Sequence, residues 1–195
     1  EAKVRRFWAR EPESHWRPRL LERLYPYLAR SPMAQQAIAR QFFGRNLASA
    51  REPGFGHGTR WETTRALQRM LSAELRAGAT GYRVSERFLA NLPPALAQCS
   101  ALAQDQQIEI RTLLTGYLLS SQGDRMLLGN SVEGRFPFLD PDVIALAHRL
   151  PDAFKLRGLD EKHVLKRAAE GLVPEAIIRR PKQPYRAPDA ASFVG

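Results

Sequence analysis

Residues 123–141 read GDRMLLGNSVEGRFPFLDP, a stretch that places four charges beside an aromatic turn. The acid–base pair Asp124 and Arg125 precedes a second pair, Glu133 and Arg135, and the apolar residues 136–139 end at Asp140 and Pro141. An unpaired charge is costly to bury, so these charges need partners. We expect either an internal ion-pair network that fixes a loop, or one wall of a polar active site.

Outside this stretch the periodicity is mainly helical. Apolar residues recur three and four positions apart around residues 14–32, and Pro26 is expected to kink or end that helix. Ser31 and Pro32 predict the next helix, with Ser31 as N-cap and Pro32 in the first helical position. Its expected apolar face is Met33, Ala37, Ile38, Phe42 and Phe43.

The segment REPGFGHGTR at residues 51–60 predicts a loop, because it holds three glycines and a proline. It lacks the Gly-Lys-Ser/Thr of a phosphate-binding loop. Thr59 and Glu62 have the spacing of a capping box, and the helix after them is expected to end at Gly78. The expected buried stripe of that helix is Trp61, Leu67, Met70, Leu71 and Leu75.

The remaining helices are predicted near residues 85–92, 93–102, 104–120, 142–150, 161–171 and 174–179. With few strand signals, the expected fold is all-α with irregular loops after about residue 120. His148 and His163 are interpreted as ordinary helix residues, without a carboxylate at metal-ligand spacing, so no metal site is expected in this chain.

Composition narrows the functional classes. The chain has 195 residues, a net charge of +10 and 44% hydrophobic residues, which is typical of a globular protein. Residues 1–6 lack an initiator Met and an apolar signal region, so the chain is expected to be part of a longer protein. No apolar run approaches the ~20 residues of a membrane span, and the single cysteine, Cys99, favours a reducing, cytoplasmic location.

The excess of positive charge is concentrated in the first third of the chain, where residues 1–70 hold 14 Lys/Arg and 6 Asp/Glu. Such a surface could bind nucleic acid, and a basic helical binding module is therefore one alternative. A solvated, Arg-rich surface is the favoured interpretation, because no helix-turn-helix, zinc finger or aromatic–basic ladder accompanies the charge.

The motif series resembles the C-terminal part of glutamine-dependent asparagine synthetases. That family shows an Asp-Arg pair, then (Val/Leu)-Glu-x-Arg-x-Pro-Phe-Leu-Asp, a Lys-x-x-Leu-Arg helix, Leu-Pro-x-x-Ile and an Arg-x-Lys turn. This chain supplies the Asp-Arg pair at 124–125, VEGRFPFLD at 132–140, KHVLK at 162–166, VPEAI at 173–177 and RPK at 180–182. Lys166 stands where the family usually has Arg, and 127–129 read Leu-Leu-Gly in place of a Ser/Thr-Met-Ala run.

The resemblance implies a partial asparagine synthase domain over 1–195, with a helical region at 1–115 and a motif-bearing region at 116–195. The implied fold is the helical C-terminal portion of an ATP-pyrophosphatase-type domain without its parallel sheet. The family's Ser-Gly-Gly-x-Asp-Ser ATP loop, its acidic segment and its glutaminase half do not occur in this sequence. An exposed apolar face and self-association are expected where that sheet would pack.

The family reaction is adenylation of aspartate by ATP with Mg²⁺, followed by amidation with ammonia from glutamine. By resemblance, Lys182 is the catalytic cation, stiffened by Pro181 and Pro184. The residues expected to support the wall of the site are Asp124, Arg125, Glu133, Arg135, Asp140 and Lys162. A relative that uses the same adenylation to make another amide, such as a β-lactam synthetase or peptide cyclase, is an alternative.

Overall fold

A computed structural model describes residues 1–180 of the chain. The chain divides into two compact units, with the boundary between Arg149 and Leu150. Lys182 and Pro184 lie outside the described residues.

The first unit is helical throughout its regular structure. Its α-helices are α1 (Ala2–Ala9), α2 (Leu21–Leu24), α3 (Pro26–Arg30), α4 (Met33–Phe43), α5 (Phe55–Arg65), α6 (Ala73–Gly78), α7 (Val84–Ala90), α8 (Ala101–Glu109), α9 (Arg125–Gly129) and α10 (Pro141–Arg149). Short 3-10 turns occur at Arg17–Leu20, Leu47–Ser49, Ala66–Met70, Pro94–Gln98 and Pro137–Leu139. A π-helical segment, Ile110–Asp124, joins α8 to α9, so the helix expected over 104–120 is part of a longer one.

The second unit contains α11 (Asp152–Lys155), a hairpin of β1 (Leu156–Arg157) and β2 (Asp160–Glu161), α12 (His163–Ala168) and α13 (Glu175–Ile178). The antiparallel pairing sets Leu156 opposite Glu161. The protein is therefore mostly helical, and the expected all-α class needs the addition of this hairpin. Within residues 1–180, none of the helices combines the length and apolar composition needed to cross a membrane.

Proline and glycine positions mark several helix ends as the sequence predicted. Tyr25 leaves the helical region with φ −130° and ψ 76°, and α3 begins anew at Pro26. Helix α6 ends at Gly78. The N-cap of α4 is Pro32 and not Ser31, because the Ser31 hydroxyl donates instead to the carbonyl of Tyr27 at 2.8 Å.

The prediction of a loop over residues 51–60 is wrong beyond Gly54, because α5 begins at Phe55. Gly54 supplies the turn with φ +82°, a conformation that glycine adopts without steric cost. Thr59 lies inside the helix, so the capping box predicted with Glu62 does not form. Of the three glycines that suggested a loop, Gly54 forms the turn before α5 and Gly56 makes a close tertiary contact.

Gly56 lets α5 pack closely against α1 and α8. A Cβ at this position would lie 2.8 Å from Oδ1 of Asp105 and 3.0 Å from Cβ of Ala2. Asp105 cannot easily move away, because both of its oxygens accept hydrogen bonds from Arg6, at 2.6 and 3.1 Å. Glycine has a low helical propensity, but the close packing at position 56 leaves no room for a larger residue.

Replacing Gly56 with Ala is expected to lower the free energy of unfolding by about 1–3 kcal/mol, as overpacking does. Gly58 provides the control in the same helix, since a Cβ there meets nothing within 4 Å. Gly58→Ala is expected to raise the free energy of unfolding by up to about 1 kcal/mol. Urea unfolding measures both variants, and a shift in the same direction for both would contradict the packing argument.

The core of the first unit forms where α1 packs against its neighbours. The buried apolar side chains of the described residues are Val4, Trp8, Leu21, Phe43, Phe55, Leu96 and Ile108. The stripes predicted for α4 and for the helix after Thr59 are largely wrong, because most of their members are exposed: Met33, Ile38, Leu67, Met70, Leu71 and Leu75. Amphipathic periodicity identifies the face of a helix that can be buried, but it does not show whether another element packs against that face.

Arg5 is the most buried charged residue of this core, with a relative exposure of 0%. Its guanidinium donates to the carbonyls of Phe43 at 2.9 Å, Phe55 at 3.2 Å and Arg45 at 2.9 Å. It also lies 4.3 Å from the centroid of the Phe55 ring. Burial lowers the pKa of Arg5, and the nearby Glu1 carboxylate opposes this shift. The single arginine therefore joins α1 to the chain around α4 and α5.

Candidate functional site

The segment at residues 123–141 links two helices through an exposed turn. After α9 ends at Gly129, Ser131 adopts φ +57°, and the amide of Val132 donates to the carbonyl of Leu127 at 2.9 Å. The chain then runs to the 3-10 turn Pro137–Leu139 and enters α10. The motif segment therefore connects α9 to α10 and exposes its middle residues to solvent.

The two acid–base pairs of this segment do not form the internal network that the sequence allowed. Glu133 and Arg135 pair at 2.7 Å, but their side chains are 73% and 80% exposed. Asp124 and Arg125 are exposed and make no ion pair with any of residues 1–180. Exposed pairs contribute at most about 1 kcal/mol. The charges therefore do little to hold the turn, because solvent screens them.

Asp140 has a clear structural role at the start of α10. Its Oδ1 accepts hydrogen bonds from the amides of Asp142 at 2.9 Å and Val143 at 3.3 Å. These bonds satisfy donors that the first helical turn leaves unpaired, and Pro141 begins the helix without a donor to lose. The residue sets the direction of α10 relative to the turn.

Several large apolar side chains are exposed around the same turn. Leu128 is 74% exposed and Phe138 is 68% exposed, and they are accompanied by Met126, Val132 and Phe136. The apolar face expected where the sheet would pack, and self-association through it, stay predictions. Gly134 lies against this cluster, since a Cβ there would contact Leu127 and the Phe136 ring.

Lys162, in the second unit, occupies the N-cap position of α12. Its backbone has φ +54° and ψ +31°, an uncommon conformation for a residue with a long side chain, and the side chain is exposed. Asp160 lies just before it. The Asp160 carboxylate accepts from Lys166 Nζ at 2.5 Å and contacts His163 Nδ1 at 2.7 Å.

This arrangement corrects the interpretation of His163, which has a carboxylate partner after all. It also shows what Lys166 does in place of the usual Arg: it binds one Asp160 oxygen and leaves the other to His163. The pKa of Asp160 is lowered, first by the hydrogen bond from Lys166 and then by that from His163. The cluster connects the hairpin to α12.

We expect the carboxyl of Asp160 to titrate below the value of about 3.9 that Asp has in an unfolded chain. Because the folded pKa is lower, its contribution to stability is present above that value and is lost as the pH falls through the folded pKa. An NMR titration of the Asp160 carboxyl carbon measures this. Lys166→Met should raise the midpoint, and an unchanged midpoint would contradict the assigned cause.

A partly buried polar cluster around His57 in the first unit is absent from the sequence predictions. His57 Nε2 lies 2.7 Å from Glu109 Oε2, and its Nδ1 lies 4.0 Å from Asp105 Oδ1. Arg60 reaches Glu109 at 3.4 Å, and the Trp61 ring stacks on His57 at 5.6 Å. His57 and Arg60 lie about 50 positions from Glu109, so no local spacing reveals these polar contacts. The cluster ties α5 to α8.

Part of the positive charge in residues 1–70 is also used inside the fold. Arg17 donates to the carbonyl of Phe7 at 2.9 Å and pairs with Glu11 at 2.6 Å. Arg5 and Arg6 bind carbonyls and Asp105 as described. These arginines act as structural donors, which favours the structural over the nucleic-acid interpretation of this charge.

The candidate site residues thus fall into three groups. Asp124, Arg125, Glu133 and Arg135 lie on one exposed segment, with Asp140 at its end. Lys162 belongs to the second unit, and Lys182 follows the described residues. Within residues 1–180, no three His, Cys, Asp or Glu side chains are arranged to hold a metal ion.

A family model for asparagine synthase matches residues 3–195. The chain belongs to the asparagine synthase family. Asparagine synthase relatives include a putative asparagine synthetase [glutamine-hydrolyzing] of Mycobacterium tuberculosis, 35% identical over 119 residues, which cover 60% of this chain and 18% of that protein. Asparagine synthetase [glutamine-hydrolyzing] 1 of Bacillus subtilis is 39% identical over 83 residues, which cover 43% of this chain and 13% of that protein.

A more distant similarity is to amidase chry2 of Gibberella zeae, 27% identical over 89 residues, which cover 43% of this chain and 13% of that protein. The chain spans less than a fifth of the length of the curated relatives it matches. No solved structure matches the chain.

Proposed function

We propose that this chain is the helical, motif-bearing part of a glutamine-dependent asparagine synthase. The single observation that carries the proposal is the family match over residues 3–195. The ordered motifs from the Asp124–Arg125 pair to Lys182 lie within it. The whole enzyme would adenylate the side-chain carboxylate of aspartate with ATP, and ammonia from glutamine would displace AMP to form asparagine.

Lys182 is the residue we assign to the reaction itself. An ammonium held near the phosphates would stabilise the negative charge that develops as pyrophosphate departs. Arg125 and Arg135 are exposed cations that could contact anionic groups, and Glu133 would orient Arg135 through their 2.7 Å pair. Asp140 supports the segment through its bonds to the start of α10. Lys162 is assigned to the surroundings of the site.

In the family the ATP loop and the acidic segment hold the nucleotide and Mg²⁺, and neither motif occurs in this sequence. ATP supplies the leaving group that activates the carboxylate. The proposal therefore places nucleotide and metal binding mainly on residues outside 1–195.

Residues 1–195 alone are expected to release no pyrophosphate from ATP, Mg²⁺, aspartate and ammonia. The sequence has no phosphate-binding loop, and positioning of the nucleotide and metal accounts for much of the rate in such reactions. A pyrophosphate assay over a range of protein concentrations measures this. A rate that rises with concentration, and persists in independently purified samples, would contradict the expectation.

Product analysis with the longer protein tests the function. Formation of asparagine from aspartate, with pyrophosphate and AMP in equal amounts, is the expected result. Pyrophosphate release with another carboxylate, and none with aspartate, would favour the relatives that form a β-lactam or a cyclic peptide. A glutaminase cysteine directly after the initiator Met would support glutamine as the ammonia source.

A further inference from the structure

One cleft of the first unit lies beside α4, and none of residues 123–141 lines it. This cleft, the α4 groove, has a volume of about 590 Å³ and lies between residues 15–22 and the α3–α4 pair. Its floor is apolar and well packed, formed by Pro18, Leu21 and Phe43. A concave apolar floor differs from a flat exposed patch, because it accepts a convex side chain or element.

One face of α4 lines the groove. Met33, Gln36, Ala37 and Arg40 follow the spacing i, i+3, i+4, i+7, which places them on one side of a helix. Met33 is nevertheless 85% exposed. The sequence predicts that Met33 and Ala37 are buried, yet no element within residues 1–180 covers them. Residues 1–180 therefore leave this amphipathic helix face uncovered.

The groove has the dimensions of a helix contact. From Met33 to Arg40 it follows about two turns of α4, or roughly 10 Å at 1.5 Å per residue. Ala29, Ala37 and Ala39 line it with small side chains, so the backbone of another helix could approach closely. Leu28 and Met33 supply larger side chains that could fit between those of a second helix.

The rim of the groove is positively charged. Arg19 and Arg40 border it, and Arg23 and Arg30 border an adjoining cleft that shares Arg19, Glu22 and Ala29. Glu22 is the acidic residue of both linings, and it lies 3.8 Å from Arg19. Arg23 and Arg30 are exposed and make no ion pair with residues 1–180. Two arginines thus border the groove and two more border the adjoining cleft, and Glu22 is the one carboxylate that the two linings contain.

From these features we propose that the α4 groove binds an amphipathic helix of a separate, acidic protein. The apolar stripe of that helix would lie on Leu21, Phe43 and Met33, and its acidic flanks would meet the arginines of the rim. Helix-in-groove recognition uses this combination of an apolar stripe and complementary charge. A second copy of the chain is disfavoured as the occupant, because its net charge of +10 opposes association through a cationic surface.

The test uses a fluorescent 18-residue peptide with Leu and Ala at i, i+3, i+4 and i+7 and Glu on both flanks. A matched peptide carries Lys in place of every Glu. Fluorescence anisotropy with the 195-residue chain is expected to give a Kd for the Glu peptide that is at least about tenfold lower than for the Lys peptide, a difference of ~1.4 kcal/mol. Equal affinities would overturn the proposal.

Two neighbouring residues of α4 provide a matched pair of protein variants. Ala37→Glu introduces bulk and negative charge into the groove, whereas Ile38→Glu makes the same charge change at a residue that is 65% exposed and outside it. Ala37→Glu is expected to weaken binding of the Glu peptide at least about tenfold, and Ile38→Glu less than about twofold. Equal effects of the two variants would contradict binding in the groove.

Reversal of charge at the rim has its own control. Arg23→Glu with Arg30→Glu should weaken binding of the Glu peptide, and Arg65→Glu with Arg69→Glu, which changes the net charge equally elsewhere, should weaken it much less. Three results would overturn the proposal in favour of another occupant. These are a dimer in sedimentation that Ala37→Glu alone dissociates, displacement of the peptide by phosphatidylserine vesicles, and loss of peptide binding in the longer protein.

Discussion

Replacing Arg5 with Met is expected to lower the free energy of unfolding by about 3 kcal/mol. The guanidinium donates to three main-chain carbonyls, those of Phe43, Phe55 and Arg45. Methionine fills much of the same volume but donates no hydrogen bond, so these acceptors lose their donor in the interior. A buried polar group without its partner costs about 1–3 kcal/mol, and the desolvation of Arg5 that Met avoids offsets part of the total.

The position allows two informative comparisons. Arg5→Lys keeps the charge, but one compact ammonium cannot reach three carbonyls on different segments, so its loss should approach that of Arg5→Met. Arg51→Met makes the same substitution at an exposed arginine that takes no part in these contacts, and its effect should stay within about 0.5 kcal/mol. Urea unfolding provides the measurements. A change below 1 kcal/mol for Arg5→Met would show that water or rearrangement replaces the lost donors.

Arg5 also shows where sequence reasoning reaches its limit. Residues 1–6 read as a basic N-terminus, and nothing in their spacing distinguishes Arg5, which is fully buried, from Arg6, which pairs with Asp105. The carbonyls that Arg5 binds lie 38 to 50 positions away. Main-chain acceptors carry no sequence signal, so contacts of this kind cannot be predicted from residue types.

The helix predictions succeeded where the cause is local and failed where it is tertiary. Pro26 and Gly78 mark helix boundaries because ring geometry and backbone freedom act within one turn. The loop prediction at Gly56 is wrong because this glycine leaves room for Asp105, which lies on a helix far away in the sequence. Met33 shows the converse, an apolar residue on a helical face that the described chain leaves uncovered.

The predictions for the candidate site show the same difference between what residue identity reveals and what tertiary structure decides. The order and identity of the motif residues pointed to the asparagine synthase family, which the match over residues 3–195 confirms. Of the two acid–base pairs, Glu133 and Arg135 bind each other on the exposed surface, whereas Asp124 and Arg125 form no ion pair with residues 1–180, because charge spacing in a sequence does not fix exposure. Exposed charges held by a defined turn cost little to maintain and remain available to bind other groups.

Replacing Lys182 with Ala in the longer protein is expected to abolish asparagine synthesis while leaving folding and glutamine hydrolysis nearly unchanged. A cation directed at developing phosphate charge contributes about 100- to 1000-fold in rate, by analogy with single donors of an oxyanion hole. Arg at this position should restore little activity, because its planar group places the charge differently from a compact ammonium. Pro181 and Pro184 predict a loop here, so truncation should remove little packing.

Glu133→Ala is the contrast to Lys182→Ala, because Glu133 is assigned a supporting role and Lys182 a role in the reaction itself. If Glu133 anchors Arg135 or Arg125, as the sequence suggests, its loss leaves a partner charge unpaired and should lower the melting temperature as well as the activity. The structure changes this expectation, since Glu133 and Arg135 are both largely exposed and the melting temperature should scarcely change. A loss of activity in Glu133→Ala would therefore reflect the orientation of Arg135, whereas a lower melting temperature would show that the longer protein buries this pair.

The measurement is paired, with thermal unfolding and pyrophosphate release recorded for each variant of the longer protein. Pyrophosphate release by the wild type is measured first to establish the proposed reaction. A lack of signal in the variant can then be attributed to the loss of Lys182. If Lys182→Ala then retains activity within about tenfold of wild type, a loss of only ~1.4 kcal/mol, Lys182 is an ordinary exposed loop residue. A loss beyond 100-fold with an unchanged melting temperature would place the ammonium at the reacting phosphates, because a residue that only supports the fold affects both measurements.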